Sequence, residues 1–118
     1  MEKIMQASFL DVFGDIMNVS KSLNSDLDAL SEEEMVERIS DATGLMFIYN
    51  DCLERYEARL SKHDKFSVRF DNYAESVKGG ARFIGCDYDY HNGGCGQPCD
   101  SLDEAIKFFK RELGRMAN

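Results

Sequence analysis

From Met35 onward, apolar residues recur at alternating intervals of four and three, through Ile39, Ala42, Met46, Tyr49, Leu53, Tyr56 and Leu60. That spacing lines one side of an α-helix. It predicts a helix from Ser31 to residue 60, about thirty residues and roughly 45 Å long at 1.5 Å per residue. Ser31-Glu32-Glu33-Glu34 supplies the start: Ser31 caps the third helical N–H, Glu34 reaches back, and three acids favour the positive helix end. Gly44 costs about 1 kcal/mol inside such a helix relative to alanine, so it marks a bend or a close backbone contact. Gly44 to Tyr49 is apolar almost all round, which predicts burial by more than one neighbour, within the chain or in another subunit.

A second seam precedes this one. Met5, Phe9, Val12, Ile16, Val19 and Leu23 keep the same alternation over about residues 3–24, widened by Phe13 and Met17, and Asn24-Ser25-Asp26 breaks it. Two adjacent seams predict an antiparallel helical hairpin and leave open a homodimer through the same faces. After Ser61–Lys65 the period changes. Phe66, Val68 and Phe70 alternate with Ser67, Arg69 and Asp71, as in a half-buried strand. Val77-Lys78-Gly79-Gly80 predicts a turn, residues 81–90 a second strand of the same hairpin, and Ser101 with Glu104 the capped start of a last helix carrying Leu102, Ile106, Phe109, Leu113 and Met116. The predicted fold is therefore α+β in the order ααββα, with a long N-terminal helical hairpin, a small antiparallel sheet and a C-terminal helix. Its 118 residues suit one domain, 1–118, able to bury about two-thirds of its unfolded surface.

The formal charge is −8, with residues 1–57 carrying −9 and the remainder +1. Acids are densest from Asp26 to Asp41, where Asp26, Asp28, Glu32, Glu33, Glu34, Glu37 and Asp41 face only Arg38. A surface of this sign repels phosphate and draws basic partners over about a Debye length, ~8 Å at physiological salt. Direct nucleic-acid binding by that half is disfavoured. No apolar run approaches the ~18 residues of a membrane span. The N-terminus has an early acid and no apolar core with a cleavage site, so the cytoplasm is the expected compartment.

Between Cys86 and Cys99 stand three of the four cysteines, one of the two histidines and the only proline. Cys86, His91, Cys95 and Cys99 offer four zinc ligands, and Gly93, Gly94 and Gly96 would let a loop wrap an ion. The pattern lacks the short C-x2-C knuckles of structural zinc sites, and free thiols in a turn, or a Cys95–Cys99 redox pair, remain alternatives. Calcium is not indicated, because Asn92 and Pro98 occupy the positions where an EF-hand loop needs glycine and glutamate. A thiol nucleophile with His91 as base has no third orienting group in the sequence, and no phosphate-binding, zincin or nucleophile-elbow motif occurs. His63, in a polar link between helix and strand, reads as solvated.

Tyr73, Tyr88 and Tyr90 interleave with Asp71, Asp87 and Asp89, which puts aromatic and acidic side chains on opposite faces of a strand. Asp87 and Asp89 would then stand about 7 Å apart on one face. These features favour a non-catalytic module that binds a basic protein surface through Glu32, Glu33, Glu34, Glu37 and Asp41, with Asp87 and Asp89 second. The most concrete form is an inhibitor of a nucleic-acid-processing complex, as phage-encoded anti-CRISPR and anti-restriction proteins often are. That analogy rests on size and charge, not on a motif. The alternatives are a zinc-stabilised adaptor and a thiol-dependent enzyme or redox protein built on the same cysteines.

Overall fold

A computed structural model describes residues 25–117, and the seam over residues 3–24 lies outside them. The order is α1 (Ser25–Ala29), α2 (Glu32–Thr43), β1 (Ile48–Asn50), β2 (Arg55–Arg59), β3 (Lys65–Asn72), a 3-10 turn (Lys78–Gly80), β4 (Arg82–Tyr90), β5 (Gly93–Cys99) and α3 (Leu102–Ala117). The strands form one five-stranded antiparallel sheet in sequential order, and the two longer helices cover one face of it.

The long helical hairpin is not formed. The helix starts where expected, with Glu34 N–H donating to Ser31 Oγ (3.1 Å) and Ser31 N–H to Glu34 Oε1 (2.9 Å). It stops at Thr43. Gly44 takes the left-handed conformation (φ 77°) and donates its N–H to Ser40 O at 2.8 Å, closing the last turn. Thr43 Oγ1 adds a bond to Ile39 O (2.7 Å) and accepts the N–H of Leu45 (3.3 Å). Gly44 is thus a helix terminator, and residues 48–59 are two strands where a continuous helix was predicted.

The outer end of that hairpin is set by Asn50. Its Oδ1 accepts the N–H groups of Cys52 (3.0 Å) and Leu53 (3.2 Å), while its Nδ2 donates to Glu57 Oε1 (3.2 Å). Such a side chain imitates a backbone turn and fixes where the chain reverses.

The period-2 reading of Phe66–Asp71 holds. Phe66, Val68 and Phe70 face the helices and pair across to Tyr88, Cys86 and Ile84 of β4. The predicted cysteine loop is instead the second half of β4, a tight turn at His91–Asn92, and β5. Proline is tolerated there because β5 is an edge strand, with no described strand on its other side.

The core lies between this inner face and the helices. Phe66 meets Phe109 (ring centroids 4.9 Å) and Tyr88 (5.1 Å), and Phe47 meets Phe109 at 5.4 Å. Met35 and Ile39 of α2 and Leu102 and Ala105 of α3 complete it. Burying a phenylalanine this fully contributes about 1.5–3 kcal/mol. Leu27 brings α1 into the same core, and the Arg82 guanidinium donates to the Leu27 carbonyl. Ser101 caps α3, accepting the N–H of Glu104 at 3.2 Å.

Candidate interaction surface

Met35, Val36 and Ile39 bury one side of α2, and this rotation turns Glu32, Glu33, Glu34, Glu37 and Asp41 outward. All five are exposed. Glu33, Glu37 and Asp41 stand at successive i,i+4 positions, neighbours about 6 Å apart along the helix axis. Each such like-charge pair costs about 0.2–0.5 kcal/mol. Asp41 also lies in the last turn, where the helix dipole favours cations and α2 carries no base. Glu34 is held below the usual carboxylate range by the Ser31 backbone N–H and hydroxyl.

Asp87 and Asp89 do not join this surface. They lie on the outer face of β4, on the far side of the sheet from α2. Asp89 is 3.9 Å from Arg55 Nη2. Asp87 is half-buried; burial raises its carboxyl while Arg69 pulls the other way. It lies over Gly96, where a Cβ would collide with Asp87 Oδ1. Between them and the hairpin edge, Glu57 gathers Asn50, Arg55 (2.8 Å) and Lys65 (3.1 Å). Burial works to raise the Glu57 carboxyl, but those hydrogen bonds outweigh it and hold it at about 2.

The four zinc candidates fall into three environments. Cys86 and Cys99 are fully buried on the inner face, with Gln97 Nε2 3.5 Å from Cys99 Sγ. A hydrogen bond to Cys99, then burial, pushes the Cys86 thiol up. Cys95 is exposed, paired across to Tyr88 in the ladder. Four residues of extended chain separate it from Cys99, about 13 Å, too far for one ion with ~2.3 Å sulfur bonds. His91 sits in the turn against His63, ring centroids 4.6 Å apart. Among the described residues, no three His, Cys, Asp or Glu side chains gather where they could hold a metal ion.

A further feature, missed in the sequence, is the exposed apolar group around β1. Met46 is 77% exposed, Ile48 66%, Leu53 52% and Tyr49 47%. The helical stripe includes Met46, Tyr49 and Leu53, and the apolar run from Gly44 to Tyr49 adds Ile48, so burial within the chain or in another subunit is the expectation for all four. Their alternative signal was the cluster of β-branched and aromatic residues Phe47-Ile48-Tyr49 followed by Asn50-Asp51.

Comparison of the chain with protein-family models, curated proteins and solved structures finds no match. Among the described residues no helix is long and apolar enough to cross a membrane.

Proposed function

We propose that this protein is a non-catalytic binding module whose α2 docks on a basic protein surface, in its most concrete form the nucleic-acid-binding groove of a processing complex. The observation that supports this is the exposed column Glu33–Glu37–Asp41. It repels itself, it opposes the helix dipole at its last member, and it makes no ion pair among the described residues. Ordinary solvation needs no such concentration of one sign, because interspersed Lys and Glu solubilise a helix while stabilising it. A basic partner relieves the repulsion and supplies the missing cations. Charge of this sign also steers association with a cationic groove and competes there with phosphate.

The test is affinity capture of partners from cells of the source organism at low and high salt, beside the triple variant Glu33→Lys, Glu34→Lys, Glu37→Lys. Partners retained by the native chain at low salt should be lost with the variant and at high salt. A captured partner should bind its nucleic acid less tightly as the native protein is added. A partner set indifferent to both salt and charge reversal would rule the reading out.

A further inference from the structure

We infer that His63 and His91 form a two-imidazole site for a divalent transition metal ion of the nitrogen-preferring kind, zinc(II), nickel(II) or copper(II), with water completing its coordination. The site stands apart from α2 and uses neither the acidic column nor the cysteines.

These are the only two histidines of the chain. The strands run antiparallel in sequential order, so the β2–β3 and β4–β5 turns lie at the same end of the sheet. Lys65 opposes Asp89 in the β3–β4 ladder. That register, carried two residues further, sets His63 opposite His91, and their rings stand 4.6 Å apart, inclined at 61°. Directly opposed side chains are the closest pairs that neighbouring strands make.

Both turns are braced. Asp64 O accepts the N–H groups of Leu60 (2.9 Å) and Ser61 (3.2 Å), Ser61 Oγ accepts the N–H of Asp64 (3.2 Å), and Arg59 Nη1 donates to Lys62 O (3.2 Å). In the other turn only His91 and Asn92 separate the paired residues Tyr90 and Gly93. Ligands held on such turns need little ordering to meet an ion. Both histidines are exposed, so an ion and its waters reach them from solvent.

The spacing of the rings suits one ion. A metal bonded to a nitrogen of each ring at about 2.0–2.1 Å lies about 3.2 Å from each ring centre, and bonds at right or tetrahedral angles then set the centres about 4.5–5.2 Å apart. The observed 4.6 Å falls in that span. Imidazole is the ligand that zinc, nickel and copper share, whereas magnesium and calcium take oxygen. No third His, Cys, Asp or Glu joins the pair among the described residues, so the ion is an exchangeable one and not the closed four-ligand zinc of a structural site. The exposed Lys62 flanks His63 on one side and Asp64 on the other, while the net charge of −8 draws cations to the chain as a whole.

The experiment titrates the full chain, 15N-labelled and kept reduced, with zinc chloride and reads the histidine ring nitrogens by NMR. Both rings should respond together and saturate at one zinc per chain, and thermal unfolding should move to higher temperature as zinc rises. His63→Ala and His91→Ala, each at an exposed turn position, should keep the native circular dichroism and weaken zinc binding about tenfold or more, because one imidazole lacks the chelate. Rings that titrate independently, or a single-histidine variant that binds zinc as tightly as the native chain, would overturn the site. A response abolished by Cys52→Ser with Cys95→Ser would place the ion on the exposed thiols and overturn it too. So would an equal response to magnesium chloride, which would reduce the effect to attraction by net charge.

Discussion

Tyr49 and Tyr56 face each other across the β1–β2 hairpin, ring centroids 4.9 Å apart and inclined at 61°. They are seven residues apart in the chain, so on a helix they would share a face two turns apart and would not touch. In the hairpin they are directly opposed. A double-mutant cycle of Tyr49→Ala and Tyr56→Ala should therefore give a coupling of about 0.5–1.5 kcal/mol in chemical denaturation. Strictly additive effects would contradict the pairing.

The Glu57 cluster makes stability depend on acid. Its folded value of about 2 lies below the 4.5 of an ordinary glutamate. A depressed carboxylate contributes stability that is fully present above its unfolded value and is lost as pH falls through the folded one. Denaturation midpoints should thus fall between about pH 4.5 and 2, and Glu57→Gln should flatten that part of the profile while costing about 1–3 kcal/mol at neutral pH. An unchanged acid profile in Glu57→Gln would remove Glu57 from this role.

Gly96 is required by its neighbour. A Cβ there would collide with Asp87 Oδ1 and come 3.1 Å from the Cys86 carbonyl oxygen. Gly96→Ala should destabilise by about 1–3 kcal/mol, and Asp87→Ala in the same chain should recover part of the loss by removing the carboxylate. Thermal unfolding of the single and double variants reads both effects, and a double variant no more stable than Gly96→Ala would place the strain elsewhere.

Asp41 separates stability from binding. Asp41→Lys puts a cation in the last turn of α2 and removes a like-charge neighbour of Glu37, so the variant should be about 0.3–1 kcal/mol more stable. If α2 is the docking surface, the same variant binds the basic partner more weakly. A variant both more stable and equally avid would show that the column does not meet the partner.

Much of the fold was legible where the signal is local. The caps at Ser31 and Ser101 each need only a residue and its third neighbour, and both form as read. The alternation of Phe66, Val68 and Phe70 is likewise a short-range pattern and fixes the face each side chain takes, although Ser67 on the opposite face is buried too. The failures have one origin. Tyr49 and Tyr56 fit a helical stripe, and only their partners distinguish the two states: Tyr49 opposes Tyr56, and Glu57 opposes Ser67 of β3. Gly93–Cys99 has poor strand propensity and becomes a strand because β4 offers it a complete ladder. The acidic surface was legible because charge density needs no register, whereas the separation of Asp87 and Asp89 from it, and of Cys95 and His91 from the buried Cys86–Cys99 pair, was not.

The amino-acid sequence by itself determined the acidic character of α2, the starts of both longer helices and the faces of β3 and β4, because each follows from side chains a few residues apart. Tertiary structure decided that α2 ends at Gly44, that the following apolar residues form an exposed edge, and that three cysteines lie on two strands. Those outcomes depend on pairing between segments, whose free energy comes from contacts that local periodicity does not contain.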